Sequence, residues 1–160
     1  SSAASDVYKR QGIKRMEEFI KDALAHGGRV ECGGKRPEGA KFSKGYYFEP
    51  TVLTNVNPTM KIMTDEPFGP IVAIDSFSSA EEAIIKANST RYGLVAYVYT
   101  SNIKRAGWIA ENLEWGNVAI NNISPDSLYA PYPGWKESGI GLELGPVSYT
   151  HLTLPTIYPV

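Results

Sequence analysis

In residues 64–70, Thr-Asp-Glu-Pro-Phe-Gly-Pro, a carboxylate at Glu66 and an aromatic ring at Phe68 stand two positions apart with a proline between them. Pro67 and Pro70 lock their own φ angles and push Glu66 and Gly69 toward extended backbone. Gly69, lacking a Cβ, lets a neighbour approach the backbone closely. A stiff elbow of this kind holds carboxylate and ring at a set separation, which suits a ligand with both hydroxyls and a flat face. The same residues also read as a tight proline turn joining two buried elements.

Other groupings carry less chemistry. Ser101-Asn-Ile-Lys104 fits the serine–lysine spacing S-x-x-K, but its companion motifs are absent and Ser101 also makes sense as a helix cap. His26 and Cys32 could be paired as metal ligands on paper, yet two residues do not make a site, so no metal is expected. Gly33-Gly34 lacks the spacing and the following helix of a phosphate loop. Asn88-Ser-Thr90 matches a glycosylation sequon and is read as chance.

The elements that must position these groups follow from periodicity. Ile13, Met16, Phe19, Ile20, Ala23 and Leu24 recur at helical spacing, and Gly27-Gly28 supplies the stop. Residues 29–32 form a short strand candidate, residues 35–45 a polar loop, and residues 46–48 and 51–56 are aromatic and β-branched, hence extended. Beyond the elbow, residues 71–77 read as a strand. Ser79 caps the next helix with Glu82 as capping-box partner, and Ala83, Ile84 and Ala87 form its buried face. Residues 95–99 are the next strand. Ser101 caps a second helix with Ile103, Ala106, Ala110 and Leu113 on one face, ended by Gly116, and residues 117–121 form a third strand. Strand, helix, strand, helix, strand implies parallel pairing through right-handed crossovers. The expected fold is α/β, a parallel-stranded sheet covered by helices.

Ligands of open parallel sheets lie at the carboxyl ends of strands. Asn121 and the loop of residues 122–145 are therefore site candidates. The loop is longer than the roughly 12–15 residues beyond which a compact domain's loops are usually functional or disordered. Tyr129, Tyr132 and Trp135 argue for order, because such rings need somewhere to pack.

The chain has 160 residues, 42% hydrophobic and 21% charged, which is a globular composition of one-domain size. A net charge of -1 gives no electrostatic basis for nucleic acid or an anionic membrane, and no apolar run approaches a bilayer span. The single cysteine excludes an internal disulfide and fits a reducing, cytoplasmic setting. The ends differ from the middle: residues 146–160 carry no charge and two prolines interrupt their short apolar runs, while residues 1–11 show no clear amphipathic period. Both ends resemble translated adapter sequence. They are expected to be non-native or disordered and to form no part of the packed domain, leaving residues 12–145.

Five strings in order resemble motifs of the NAD(P)-dependent aldehyde dehydrogenases. Glu66-Pro-Phe-Gly-Pro70 resembles E-x-F-G-P, residues 45–51 G-x-F-x-P-T, and residues 88–94 N-x-x-x-Y-G-L. Residues 116–121 resemble G-x-v-x-v-N, and residues 136–145 K-x-S-G-x-G-x-E-x-G. The resemblance implies that Glu66 binds the nicotinamide ribose of NAD or NADP and that Phe68 packs beside it. It further implies that Tyr132 lines the aldehyde tunnel and that Glu143 relays protons during hydrolysis. Where the family has P-F-G-G this chain has Pro131-Tyr-Pro-Gly134, and Leu142 stands where arginine is common.

Family catalysis proceeds through a cysteine thioester. Cys32 lies in Val30-Glu-Cys-Gly-Gly34, which does not match the segment bearing the nucleophile, so it is read as a small structural residue. The nucleotide-binding part is also missing. The expectation is thus the later part of the catalytic domain of a homo-oligomeric enzyme that oxidises an aldehyde to a carboxylate, inactive by itself. Members acting on succinate semialdehyde are included, since Lys136 and residues 124–127 could meet a carboxylate. The competing expectation is a non-catalytic α/β module for binding or subunit contact.

Overall fold

Helix α1, Ser2–Ala25, buries Met16, Phe19, Ile20 and Ala23 along one stripe, the predicted set apart from half-buried Ile13 and exposed Leu24. It ends in a Schellman turn. The Gly28 N–H donates to the Ala23 carbonyl at 2.7 Å, and Gly27 takes a left-handed φ of 90°. The computed structural model describes residues 2–145, with side chains from Lys9 onward, and the chain divides after residue 76 into two units. Residues 2–11, expected outside the domain, are helical and continuous with the rest of α1, whereas 146–160 lie outside the described residues.

In the first unit α1 packs on a three-stranded sheet of order β1-β2-β3. β1 (Arg29–Cys32) runs antiparallel to β2 (Thr51–Thr54), and β3 (Ile71–Ala73) runs parallel to β2 through the one-turn α2 (Lys61–Thr64). Leu53, Val56, Met60, Ile62 and Ile71 complete the core. Leu53 is fully enclosed, so Leu53→Ala is expected to cost about 2–5 kcal/mol, read as a lower unfolding midpoint in denaturant.

The second unit contains α3 (Ala80–Asn88), β4 (Tyr92–Gly93), β5 (Val95–Val98), α4 (Ile103–Asn112) and β6 (Asn117–Ile120), then three two-residue strands: β7 (Tyr132–Pro133), β8 (Trp135–Lys136) and β9 (Leu142–Glu143). β5 and β6 pair in parallel, as expected for strands joined by a helix, while β4 pairs with β8 and β7 with β9, both antiparallel. Ser79 caps α3 by accepting from the Glu82 N–H at 3.2 Å. Hydrogen bonds from the Ser78 hydroxyl and N–H, then the Lys86 ammonium, pull the Glu82 carboxyl from its usual value near 4.5 to about 2. Because the folded value is the lower one, this stabilisation is present above pH 4.5 and disappears as pH falls toward about 2. Glu82→Gln should therefore flatten the acid limb of a stability-versus-pH curve.

Several expectations change. Residues 46–48 form no strand; Tyr47 instead meets Phe42 edge to face, ring centroids 5.4 Å apart. The α4 cap is Asn102, whose side chain accepts from the Arg105 N–H at 3.0 Å, because Ser101 falls one residue too early. Ile103 is exposed, the helix stops at Asn112, and only Ala106 and Leu113 of the predicted face are buried. The parallel partner of β3 is β2, which precedes the elbow rather than following it.

Candidate functional site

The elbow follows directly from α2, where Asp65 donates its N–H to the Lys61 carbonyl and turns the chain to extended geometry at φ -114°. That bond fastens its leading flank, and two contacts fasten the trailing one. The Thr51 N–H donates to the Pro70 carbonyl at 2.8 Å, tying the elbow to β2. Gly69 lies on α1 so closely that an added Cβ would overlap the Met16 sulfur, which is where its missing side chain is needed.

Between these anchors Phe68 has a φ of 43° and is 78% exposed. A bulky residue held in left-handed backbone costs on the order of 1–3 kcal/mol and persists only where its surroundings impose it. The Glu66 carboxylate is exposed and has no hydrogen-bond or ion-pair partner among the described residues. The elbow backbone is thus held by hydrogen bonds and by close approach to the Met16 sulfur, while the groups able to recognise a ligand face outward. Pro67 and Phe68 also wall an open groove of about 680 Å³ against α1.

In the second unit Tyr132 and Glu143 come together as register partners of the β7·β9 pair. Burial, then the nearby Tyr97, Asp126 and Glu143, raise the Tyr132 phenol above its ordinary 10.0, so it is a neutral O–H donor at physiological pH. Asn121 sits at the end of β6 with φ 52°. Its Nδ2 donates to the Thr100 carbonyl and its Oδ1 accepts from the Thr100 N–H, both at 2.9 Å. The side chain thereby secures the carboxyl end of the β5·β6 pair.

Other sequence candidates take structural places. Lys136 Nζ donates to the carbonyls of Asn88 at 2.8 Å and Thr90 at 3.1 Å and pairs with Glu114 at 2.9 Å. Three donors meet three acceptors, which overturns the idea that this ammonium awaits a substrate carboxylate. Cys32 is exposed at a register shift in β1 instead of being a packed residue. Gly33 seats against Pro50 and Thr51, and the Gly34 N–H donates to the Thr51 hydroxyl at 2.8 Å, which accounts for the paired glycines. No group of three or more metal-capable side chains occurs among the described residues, and none of their helices is long and apolar enough to cross a membrane.

The motif residues of the second unit bind one another, a role sequence reading missed. The Asn88 side chain accepts from the Glu114 N–H and donates to the Asn112 carbonyl; the Gly93 N–H donates to Ser138 Oγ; the Gly116 N–H donates to the Gly93 carbonyl. Asn117 Nδ2 reaches the carbonyls of Leu94 and Pro133. The signal available was the recurrence of small and amide residues at the ends of three separate strings.

Helices backing partly parallel sheets, with an outward carboxylate and ring on a fastened elbow, define an incomplete α/β domain like that of NAD(P)-dependent aldehyde dehydrogenases. The chain belongs to the aldehyde dehydrogenase family, whose profile matches residues 5–156. It is 43% identical over 145 residues to 3,6-anhydro-alpha-L-galactose dehydrogenase of Streptomyces coelicolor, covering 90% of this chain and 30% of that protein. It is also 43% identical to a probable succinate-semialdehyde dehydrogenase [NADP(+)] of Sinorhizobium fredii, covering 88% of this chain and 28% of the relative. The crystal structure of betaine aldehyde dehydrogenase from Staphylococcus aureus in complex with NAD+ superposes with a TM-score of 0.82 at 38% identity, over 88% of this chain and 28% of that one. The chain thus spans less than a third of the length of these relatives.

Proposed function

We propose that this chain is the later part of the catalytic domain of a cytoplasmic, homo-oligomeric enzyme that oxidises an aldehyde to a carboxylate with NAD or NADP. The cysteine that forms the thioester and the nucleotide-binding part would be supplied by sequence outside this chain. The observation that carries the reading is the unpartnered Glu66 carboxylate beside left-handed Phe68, on an elbow anchored at both flanks.

These residues fit the cofactor they would hold. An exposed carboxylate is an acceptor-only group, able to take hydrogen bonds from two ribose hydroxyls without competing for donors of its own. The exposed Phe68 ring offers an apolar face beside it. When bound, the nicotinamide would accept the hydride removed from the substrate carbon. Glu66 and Phe68 would orient it, and binding in a fixed pose is worth more than binding alone. Tyr132, a neutral phenol, would line the aldehyde's path, and Asn121 would set the end of the β5·β6 pair from which the substrate loop departs. Glu143, paired with Tyr132, would take up the proton released when water hydrolyses the thioester.

The test is the full-length enzyme recovered from the same gene and assayed for NADH and NADPH formation with a panel of aldehydes, succinate semialdehyde included. Turnover lost in Glu143→Gln at the hydrolysis step, seen as thioester that accumulates, supports the proton role. Absence of a nucleophilic cysteine upstream, with no turnover on any aldehyde, would leave the chain as a binding or subunit-contact module.

A further inference from the structure

The hairpin that carries Tyr132 and Glu143 has little of its own to hold it. β7 and β9 are two residues each; Trp135 and Ile140 between them are 48% and 105% exposed, and Leu142 of β9 is 58% exposed. A two-stranded pair with so little apolar burial is marginal in water. Its placement must come from polar contacts to its surroundings.

Asn117 Nδ2 holds the Pro133 carbonyl at the hairpin's start, and most of the remaining contacts reach residues 88–93. Lys136, in left-handed backbone at φ 54°, sends its ammonium to the carbonyls of Asn88 and Thr90 and to the Glu114 carboxylate. The Glu137 N–H donates to the Arg91 carbonyl and Ser138 Oγ accepts from the Gly93 N–H, both at 3.0 Å. The Lys136 side chain is the one charged member of this set that reaches main-chain carbonyls. It is three-quarters covered, with a side-chain exposure of 25%, so its charge-assisted bonds are shielded from competing water.

We propose that Lys136 is a positioning residue: it latches the 131–145 hairpin to the turn after α3 and so places Tyr132 and Glu143. This rests on the assignment of those two residues to the site. An arginine cannot substitute, because a planar guanidinium does not converge on three acceptors arranged around one nitrogen.

The experiment uses the full-length enzyme with Lys136→Met, Lys136→Arg and, as a milder variant that keeps both carbonyl contacts, Glu114→Gln. Amide exchange of residues 132–144 should accelerate about tenfold or more in the two Lys136 variants and less in Glu114→Gln, with β5 and β6 unchanged. Turnover should fall in the same order, by as much as roughly a hundredfold, as expected for catalytic groups displaced by about 1 Å. The loss should be equal for a neutral and a carboxylate-bearing aldehyde. Unchanged hairpin exchange in a folded variant overturns the latch. A loss confined to the acidic aldehyde, seen as KM alone, would make Lys136 a substrate ligand and overturn it as well. Faster exchange with unimpaired turnover would instead remove Tyr132 and Glu143 from the site. If Lys136→Met does not fold, Glu114→Gln decides by the same measurements.

Discussion

Glu66→Gln in the full-length enzyme is expected to lower kcat/KM for the dinucleotide by roughly 10- to 100-fold while leaving the unfolding midpoint unchanged. Glutamine keeps the shape and one acceptor oxygen but replaces the other with an NH2 donor, so one bond to a ribose hydroxyl is lost and the other is no longer charge-assisted. A hydrogen bond to a charged group is worth about 1.5–3 kcal/mol, which converts to that range. Stability should not move because the carboxylate is exposed and has no partner among the described residues. Steady-state kinetics with dinucleotide as the varied substrate, beside a denaturant titration, separates the two. Equal kcat/KM for the variant and the parent would remove Glu66 from the cofactor site.

Gly116→Ala is expected to destabilise the fold strongly. A Cβ there would overlap the Pro133 carbonyl oxygen, a main-chain atom held by Asn117 Nδ2 at 3.1 Å. Neither side can yield without moving β6 or the start of the hairpin. Overpacking usually costs about 1–3 kcal/mol where side chains can adjust, so a main-chain clash should reach or exceed the upper end. A matched change at Gly107, whose Cβ meets only open space, should cost nothing and on helix propensity stabilise by up to about 1 kcal/mol. Thermal unfolding of the two variants side by side checks this; similar midpoints would show that the 116–133 contact is not tight in solution.

Much of this fold was legible because local signals and tertiary packing agreed. The α1 stripe follows from spacing that burial then uses, and β1, the Ser79–Glu82 cap and the parallel β5·β6 pair follow from local signals that hydrogen bonding then uses. Where they diverged, a nearby competitor won. Asn102 displaced Ser101 as cap because its shorter loop to Arg105 places the acceptor at the right distance. Residues 46–48 have strand-forming side chains but join no sheet, and the Tyr47 ring packs locally against Phe42. In the candidate site, Glu66 and Phe68 stood out because prolines announce a rigid turn, whereas the left-handed φ of Phe68 and the contacts of Gly69 with Met16 and Pro70 with Thr51 depend on the fold. Lys136 was misread for the same reason. A lysine in a polar loop looks free until the carbonyls 46 and 48 positions earlier are brought to it.

The segment between Asn121 and Tyr132 is an insert in a rigid frame. At one edge Asn121 is stapled to Thr100 through both side-chain atoms; at the other, the Pro133 carbonyl is held by Asn117. Each staple uses main-chain atoms on at least one side, so neither depends on what residues 122–131 are. Inside the frame most hydrogen bonds are short-range, such as Ser124 Oγ to Asp126 at 3.0 Å, beside one from the Tyr99 hydroxyl to the Asn122 carbonyl. A frame of this kind leaves chain length and side-chain chemistry free to change in residues 122–131 while the positions of its two edges stay set. Under the function proposed above, substrate contacts made by this insert would change without moving Tyr132 or Glu143, and exchanging the insert would be a local perturbation.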